Sequence, residues 1–371
     1  MTTTLQGATT PAAPSDYAVL KHRIQEAGLL DRQSGFYLRS IACKLALLVA
    51  SLALFVLLRH QGWAIVLDAI ALAVVFGQLG FQMHDAGHRQ MFEDGRANVA
   101  VGLLTADLLL GLSYGWWVDK HNRHHAHPNH VDMDPDIGPG MISYSQGQAL
   151  ASKGIRRFVA RHQAGLFFPL LFGLGWAMHV KSFTFLCRQR SRYRWLEVTL
   201  LTLHVVLLVG FLVVALGPWW ALAVIVIQQS CAGFYMACVF APNHKGMPQV
   251  AGKVDFLRRQ VLTSRNVRPN PLTDLWYGAL NYQIEHHLFP GMSRNRVARA
   301  HGIVRRFCDE RDIPYVETSI IQSYREILAF LHEVGEPVRD PTGGGAPLVA
   351  VPRAAELLGQ PVSPRFDRRE S

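Results

Sequence analysis

Residues 41–88 read IACKLALLVASLALFVLLRHQGWAIVLDAIALAVVFGQLGFQMHDAGH. Two apolar runs, about 41–58 and about 63–83, are parted only by Arg59, His60, Gln61 and Gly62. Each approaches the ~20 residues that an α-helix needs to cross a ~30 Å hydrocarbon core. The pair predicts a helical hairpin with a very short outer turn. Lys44 and Asp68 lie within a turn or two of a run's end, where a side chain is expected to reach the interface. The pattern returns at about 196–216 and 219–240, parted only by Gly217 and Pro218. The fold expected is an all-α integral membrane protein with four transmembrane helices in two hairpins.

The charges orient it. Half of the chain is apolar and 17% is charged, against about a quarter charged in an average soluble domain. The net charge is +10. Lys21, Arg23, Arg32 and Arg39 precede the first hairpin. Lys153, Arg156, Arg157, Arg161, Lys181, Arg188, Arg190, Arg192 and Arg194 lie between the hairpins, and Arg258, Arg259, Arg265 and Arg268 follow the second. The turns within each hairpin are nearly uncharged. Positive charge collects on the cytoplasmic side of membrane proteins, so all three regions and both termini are expected there, in a multi-pass protein of the cell membrane. The basic balance is thereby a topological signal, and it argues against a nucleic-acid partner. Segments 99–117, with Asp107, and 164–180, with His179, are apolar but unsuited to crossing alone; they read as interfacial or re-entrant helices. The organisation expected is a cytoplasmic N-terminal segment, 1–36, with a disordered start. A membrane domain, 37–335, follows, with its cytoplasmic helical cap in 84–195 and 241–335, and then a flexible tail, 336–371. The five cysteines form no CxxC pair and read as small buried residues.

The histidines carry the chemistry. His84 and His88 form HDAGH where the second run ends; His121, His124 and His125 form HNRHH; Gln283, His286 and His287 form QIEHH; His244 follows the fourth run. A helix turns about 100° per residue, so positions four apart share a face. His124 and His125 diverge by about 100° on a helix, awkward for one metal but suited to two neighbouring ones. His286 and His287 repeat that step. The spacing favours a dinuclear site held by the cap. Imidazole binds iron, zinc, copper and nickel, but a zinc hydrolase uses about three protein ligands with one open position, and no HExxH is present. Ligands gathered where spans leave a bilayer let a lipid chain reach an oxidising metal pair. Asp85, Asp119 and Glu285 are candidates to orient imidazole N–H groups. The acidic run Asp132, Asp134 and Asp136 lacks the frame of a calcium loop and reads as a turn or as further orienting carboxylates. His127 and His130 lie in a Pro/Asn turn after HNRHH, and His179 and His204 read as packed or hydrogen-bonded groups.

HDAGH, WWVDKHNRHHAHPNHVDMDPDI and NYQIEHHLFPGM together resemble the three histidine boxes of the membrane fatty acid desaturases, over about residues 78–292. Gln283 opening the third box is similar to the front-end and linoleoyl-CoA desaturase branch. The resemblance implies two iron ions and dioxygen as co-substrate, with His84, His88, His121, His124, His125, His286 and His287 as ligands. It also implies a metal contact for Gln283, in the place of a histidine, and a role for Asn243 and His244 in the ligand region after the fourth run. These residues hold no HPGG motif, so no fused cytochrome b5 segment is expected, and electrons are expected from a separate partner: ferredoxin, cytochrome b5 or a flavin/iron–sulfur oxidoreductase. The substrate implied is the acyl chain of an acyl-CoA or glycerolipid. Two other readings compete. A related hydroxylase or ketolase acting on alkanes, sphingoid lipids or carotenoids shares the boxes. A metal transporter would need polar ligands near mid-membrane, for which His204 is the one good candidate.

Overall fold

The computed structural model describes residues 14–189 and 191–340. The expected disordered start and most of the expected tail lie outside them. The described chain runs through α1 (Asp16–Glu26), α2 (Ser34–Leu57), α3 (Gly62–Gly87) and α4 (Gly95–Leu103), which continues into a π-helical segment, Leu104–Leu110. Then come α5 (Tyr114–Ala126), α6 (Gln146–Ala151), α7 (Ile155–Leu171), α8 (Leu174–Arg188), α9 (Arg194–Leu216) and α10 (Pro218–His244). Short α11 (Phe256–Leu262), β1 (Asn266–Val267), α12 (Pro271–Tyr277) and α13 (Gln283–Leu288) follow, then α14 (Arg294–Glu310), β2 (Glu317–Thr318) and α15 (Ile320–Arg339). The described chain is mostly helical, as expected, with one short addition: Asn266 and Val267 pair in parallel with Glu317 and Thr318. The last helix, α15, carries Pro337 within its length and runs to Arg339.

Four helices, α2, α3, α9 and α10, are long and apolar enough to cross a membrane. They are not equivalent. Many residues of α3 and α10 are buried, whereas few of α2 and α9 are. The inner pair packs closely: a Cβ on Gly77 would lie 2.2 Å from the Tyr235 ring. Lys44 and Asp68 do not reach outward as expected. Both are buried, and Asp68 accepts a 2.8 Å hydrogen bond from Ser51 across α2 and α3. A carboxyl in an apolar setting is better served by a neighbouring hydroxyl than left without a donor.

The two suspect apolar segments are bent pairs. α4 with its π-helical extension meets α5 at 114°, and α7 meets α8 at 84°. Breaking a helix among apolar surroundings frees carbonyls that must find donors. Here His204 supplies one, its Nδ1 donating to Leu108 O at 2.9 Å, while His179 Nδ1 bonds Gly175 O at 2.9 Å within its own helix. Gly111 turns the chain at φ 70°, and a Cβ there would lie 2.6 Å from the His204 ring. Glycine is the residue that meets both demands.

The break also exposes the N-terminus of α5, the helix that carries HNRHH. Glu197, 1% exposed and coming from α9, covers it. Its Oε2 accepts from Ser113 Oγ at 2.5 Å and Gly115 N at 3.1 Å, and its Oε1 accepts from Ser191 Oγ at 3.0 Å. Ser113 in turn caps Trp116 N at 3.1 Å. A carboxylate suits a helix N-terminus because the unpaired N–H groups there carry partial positive charge. At its other end α10 is fastened by Arg265, which is wholly buried. Its Nε donates to Pro242 O at 2.5 Å, its Nη2 to Lys245 O at 2.5 Å, and its Nη1 pairs with Glu326 of α15.

Candidate metal centre

Four short stretches deliver imidazoles to one place: the ends of α3 and α10, the last turns of α5, and α13. The rings sort into two groups. His84, His88, His121, His125 and His286 have ring nitrogens within 4.8 Å of one another. His124, His244 and His287 form a second set within the same limit. The divergence expected on a helix is therefore what divides them. His124 and His125 enter different groups, and so do His286 and His287.

The hydrogen bonds fix how each ring is presented. Asp85 Oδ1 lies 3.1 Å from His84 Nδ1, and both oxygens of Asp134 lie 3.0 Å from His124 Nδ1. Thr263 O is 3.1 Å from His244 Nδ1, and Gln260 Oε1 is 2.9 Å from His287 Nδ1. Gln260 cannot be turned over, since its Nε2 donates to the His125 carbonyl at 3.0 Å. Carboxylates and carbonyls only accept, so each of these four Nδ1 atoms carries the proton. Each Nε2 then holds a lone pair facing inward.

The ring nitrogens converge. Nε2 atoms stand 3.1 Å apart in His84 and His286, 2.9 Å in His88 and His121, 3.1 Å in His125 and His286, and 3.3 Å in His124 and His244. His287 Nε2 is buried with no partner. Protonation is no remedy. Burial first, and then neighbouring imidazoles, hold His286 and His287 well below the ordinary histidine range. Converging neutral imidazoles with inward lone pairs are suited to cations, and the donor set fits a pair of transition metals.

Two expected participants stand elsewhere, and a third adjoins the rings with its amide turned. Asp119 pairs with its own-helix neighbour Arg123 at 2.6 Å, half exposed, and touches no imidazole. Glu285 is buried but turned away. It accepts from Tyr315 OH at 2.5 Å and Asn266 Nδ2 at 2.7 Å, and burial raises its carboxyl above the usual range. Gln283 lies beside the second group but offers nitrogen. Asn243 Nδ2 donates both to Leu280 O at 3.1 Å and to Gln283 Oε1 at 2.9 Å, which leaves Gln283 Nε2 facing His244 Nε2 at 2.9 Å. A metal contact through Gln283 would require its amide to turn over and lose the Asn243 bond.

His127 and His130 enter neither group. Sequence reasoning did not single out Gln260 or Thr263. Nor did it single out Trp117, whose ring stacks on His121 with centroids 4.3 Å apart. Gly87 inside HDAGH makes room for that ring, since a Cβ there would lie 2.4 Å from it. Of the three acids Asp132, Asp134 and Asp136, Asp134 alone bonds His124 closely through both oxygens.

Residues 61–319 match the model of the fatty acid desaturase family. The chain belongs to that family. An acyl-lipid (9-3)-desaturase of Physcomitrium patens is 29% identical over 337 residues, covering 88% of this chain and 64% of the moss protein. A Δ6 fatty-acid desaturase of Caenorhabditis elegans is 28% identical, covering 86% of this chain and 75% of its own. A Δ8-(E)-sphingolipid desaturase of Emericella nidulans is 26% identical, covering 87% and 62%. The chain thus spans just under two thirds of the length of the moss and fungal proteins.

Proposed function

We propose that this desaturase introduces a double bond into the acyl chain of a membrane lipid or acyl-CoA, using dioxygen and a histidine-held pair of irons. The observation that carries the reading is the division of eight imidazoles into two adjacent groups, with His124–His125 and His286–His287 each split between them. An alkyl C–H bond has neither an acidic proton nor a leaving group, so acid–base catalysis alone does not open it. Two irons would supply the oxidising power. Overall, two substrate hydrogens, two electrons and two protons reduce one dioxygen to two waters, leaving a carbon–carbon double bond. The ligands are His84, His88, His121 and His125 with His286 for one metal, and His124, His244 and His287 for the other, with Gln283 adjoining. Asp85, Asp134, Gln260 and the Thr263 carbonyl hold the Nδ1 protons of His84, His124, His287 and His244 outward, so that these four Nε2 atoms face the centre. The protein's remaining task is to seat one pair of methylenes beside the metals and keep the others away.

Topology follows the charges. The four apolar helices cross as two hairpins, and the ends of α3 and α10 that bear His84 and His244 face the cytoplasm. The arginine-rich segments and the cap lie on that side too. Electrons arrive from a ferredoxin, cytochrome b5 or flavin/iron–sulfur oxidoreductase. The test is expression in a host of defined lipid composition, with new double bonds mapped by mass spectrometry beside iron analysis of the purified protein. Products lighter by two hydrogens, absent with His88→Ala, are expected. Products heavier by one oxygen would assign a hydroxylase instead. Full desaturation by His88→Ala, or by iron-free protein, would overturn the reading.

A further inference from the structure

α5 ends at Ala126, and the chain reverses at once. Asn129 sits in that reversal, 2% exposed and at φ 52°. This is the left-handed region that asparagine tolerates better than most side-chain-bearing residues. Its hydrogen bonds run in three directions. The backbone N–H donates to Asp134 Oδ2 at 2.7 Å, and Asp134 is the carboxylate that holds His124 Nδ1. The backbone carbonyl accepts from Val250 N at 3.1 Å. The side-chain Nδ2 donates to the His244 carbonyl at 2.9 Å, with Pro248 O at 3.3 Å and Thr263 O at 3.4 Å also facing it. Thr263 O is the same atom that takes the His244 Nδ1 proton.

One buried residue therefore fastens the carboxylate that aims His124 to the helix end that carries His244. These two imidazoles come from α5 and α10, 120 positions apart in the chain. Every side-chain partner of Asn129 belongs to their surroundings, and none belongs to the five-imidazole group. We propose that Asn129 is a positioning residue for the metal held by His124, His244 and His287 alone. The inference rests on the two-metal reading above and adds that the two sites are separately built.

The test is iron titration of the purified full chain, with bound iron measured after equilibrium dialysis and the spin state followed by electron paramagnetic resonance. Asn129→Gly keeps the left-handed backbone and the N–H to Asp134 but removes the amide. Wild type is expected to bind about two irons. Loss of such an outer hydrogen-bond partner typically weakens a metal about 10–100-fold. Asn129→Gly should therefore hold about one iron at limiting supply, giving the signal of an isolated ferric ion in place of a coupled pair. Asn129→Asp, which sets an oxygen against the carbonyl oxygens, should lose the same iron. Two irons at wild-type affinity in both variants would overturn the proposal. So would loss of both irons together with a lowered melting midpoint, which would mark Asn129 as a general folding element. A wild type that binds a single iron would instead sink the two-metal reading itself.

Discussion

Replacing Glu197 tests whether the buried carboxylate under α5 sets the position of HNRHH. Glu197→Ala strips an acceptor from Ser113 Oγ, Gly115 N and Ser191 Oγ at once. A buried donor left unsatisfied costs about 1–3 kcal/mol, and the two hydroxyls can partly re-aim. The expected loss is about 3–5 kcal/mol, which at ~2–4 °C per kcal/mol lowers the melting midpoint by about 6–20 °C. Glu197→Gln is the informative partner. Its carbonyl oxygen can accept from Ser113 and Gly115, and its amide can donate to the Ser191 hydroxyl, which accepts as readily as it donates. Only the charge facing the helix N-terminus disappears, for about 1 kcal/mol. The assay is thermal unfolding in detergent, with bound iron counted in each variant. Ala is expected to lose both stability and iron, and Gln to keep most of both. If Ala and Gln melt together within a degree or two, the hydrogen bonds of Glu197 do not hold α5 and the reasoning is wrong.

Gly87→Ala places a Cβ against the Trp117 ring. Such overpacking costs about 1–3 kcal/mol, and iron content should fall as Trp117 is pushed against His121; unchanged iron and stability would contradict this. Gln260→Leu should free His287 and the His125 carbonyl together, lowering iron affinity about 10–100-fold, read by the same dialysis. Metal-free protein should lose stability as the pH falls. His286 and His287 have folded pKa values depressed by burial, so below about pH 6.5 the unfolded chain binds protons that the folded chain does not. The contribution is complete above that pH and is lost below it, at up to about 1.4 kcal/mol per pH unit for each ring. Melting of iron-stripped protein at pH 8 and pH 5.5 measures it, and an equal or higher midpoint at pH 5.5 would contradict the assignment.

The histidines were legible because their information is local. A 100° step between neighbours is a property of any helix, and it sorts His124 from His125 before any coordinates exist. The same step, applied to the acids, would have excluded Asp119, which lies two positions before His121, about 160° around the helix, and bonds Arg123 instead. It would not have excluded Glu285, which stands one step from His286 as Asp85 does from His84; Tyr315 and Asn266 hold that carboxyl elsewhere. Long-range partners left no trace of that kind. Gln260 reaches His125 across 135 positions, and Glu197 reaches Ser113 across 84. Lys44 and Asp68 misled for a different reason: distance from a helix end does not say which face a residue occupies.

The split of each His–His dipeptide between two groups has a geometric consequence. Adjacent Cα atoms are held about 3.8 Å apart by the peptide bond. The two imidazole groups are thus joined twice by covalent chain, once at 124–125 and once at 286–287. These two links limit how far the groups can part when loops and helices shift. If each group holds a metal as proposed, the spacing of the pair is the feature least open to drift.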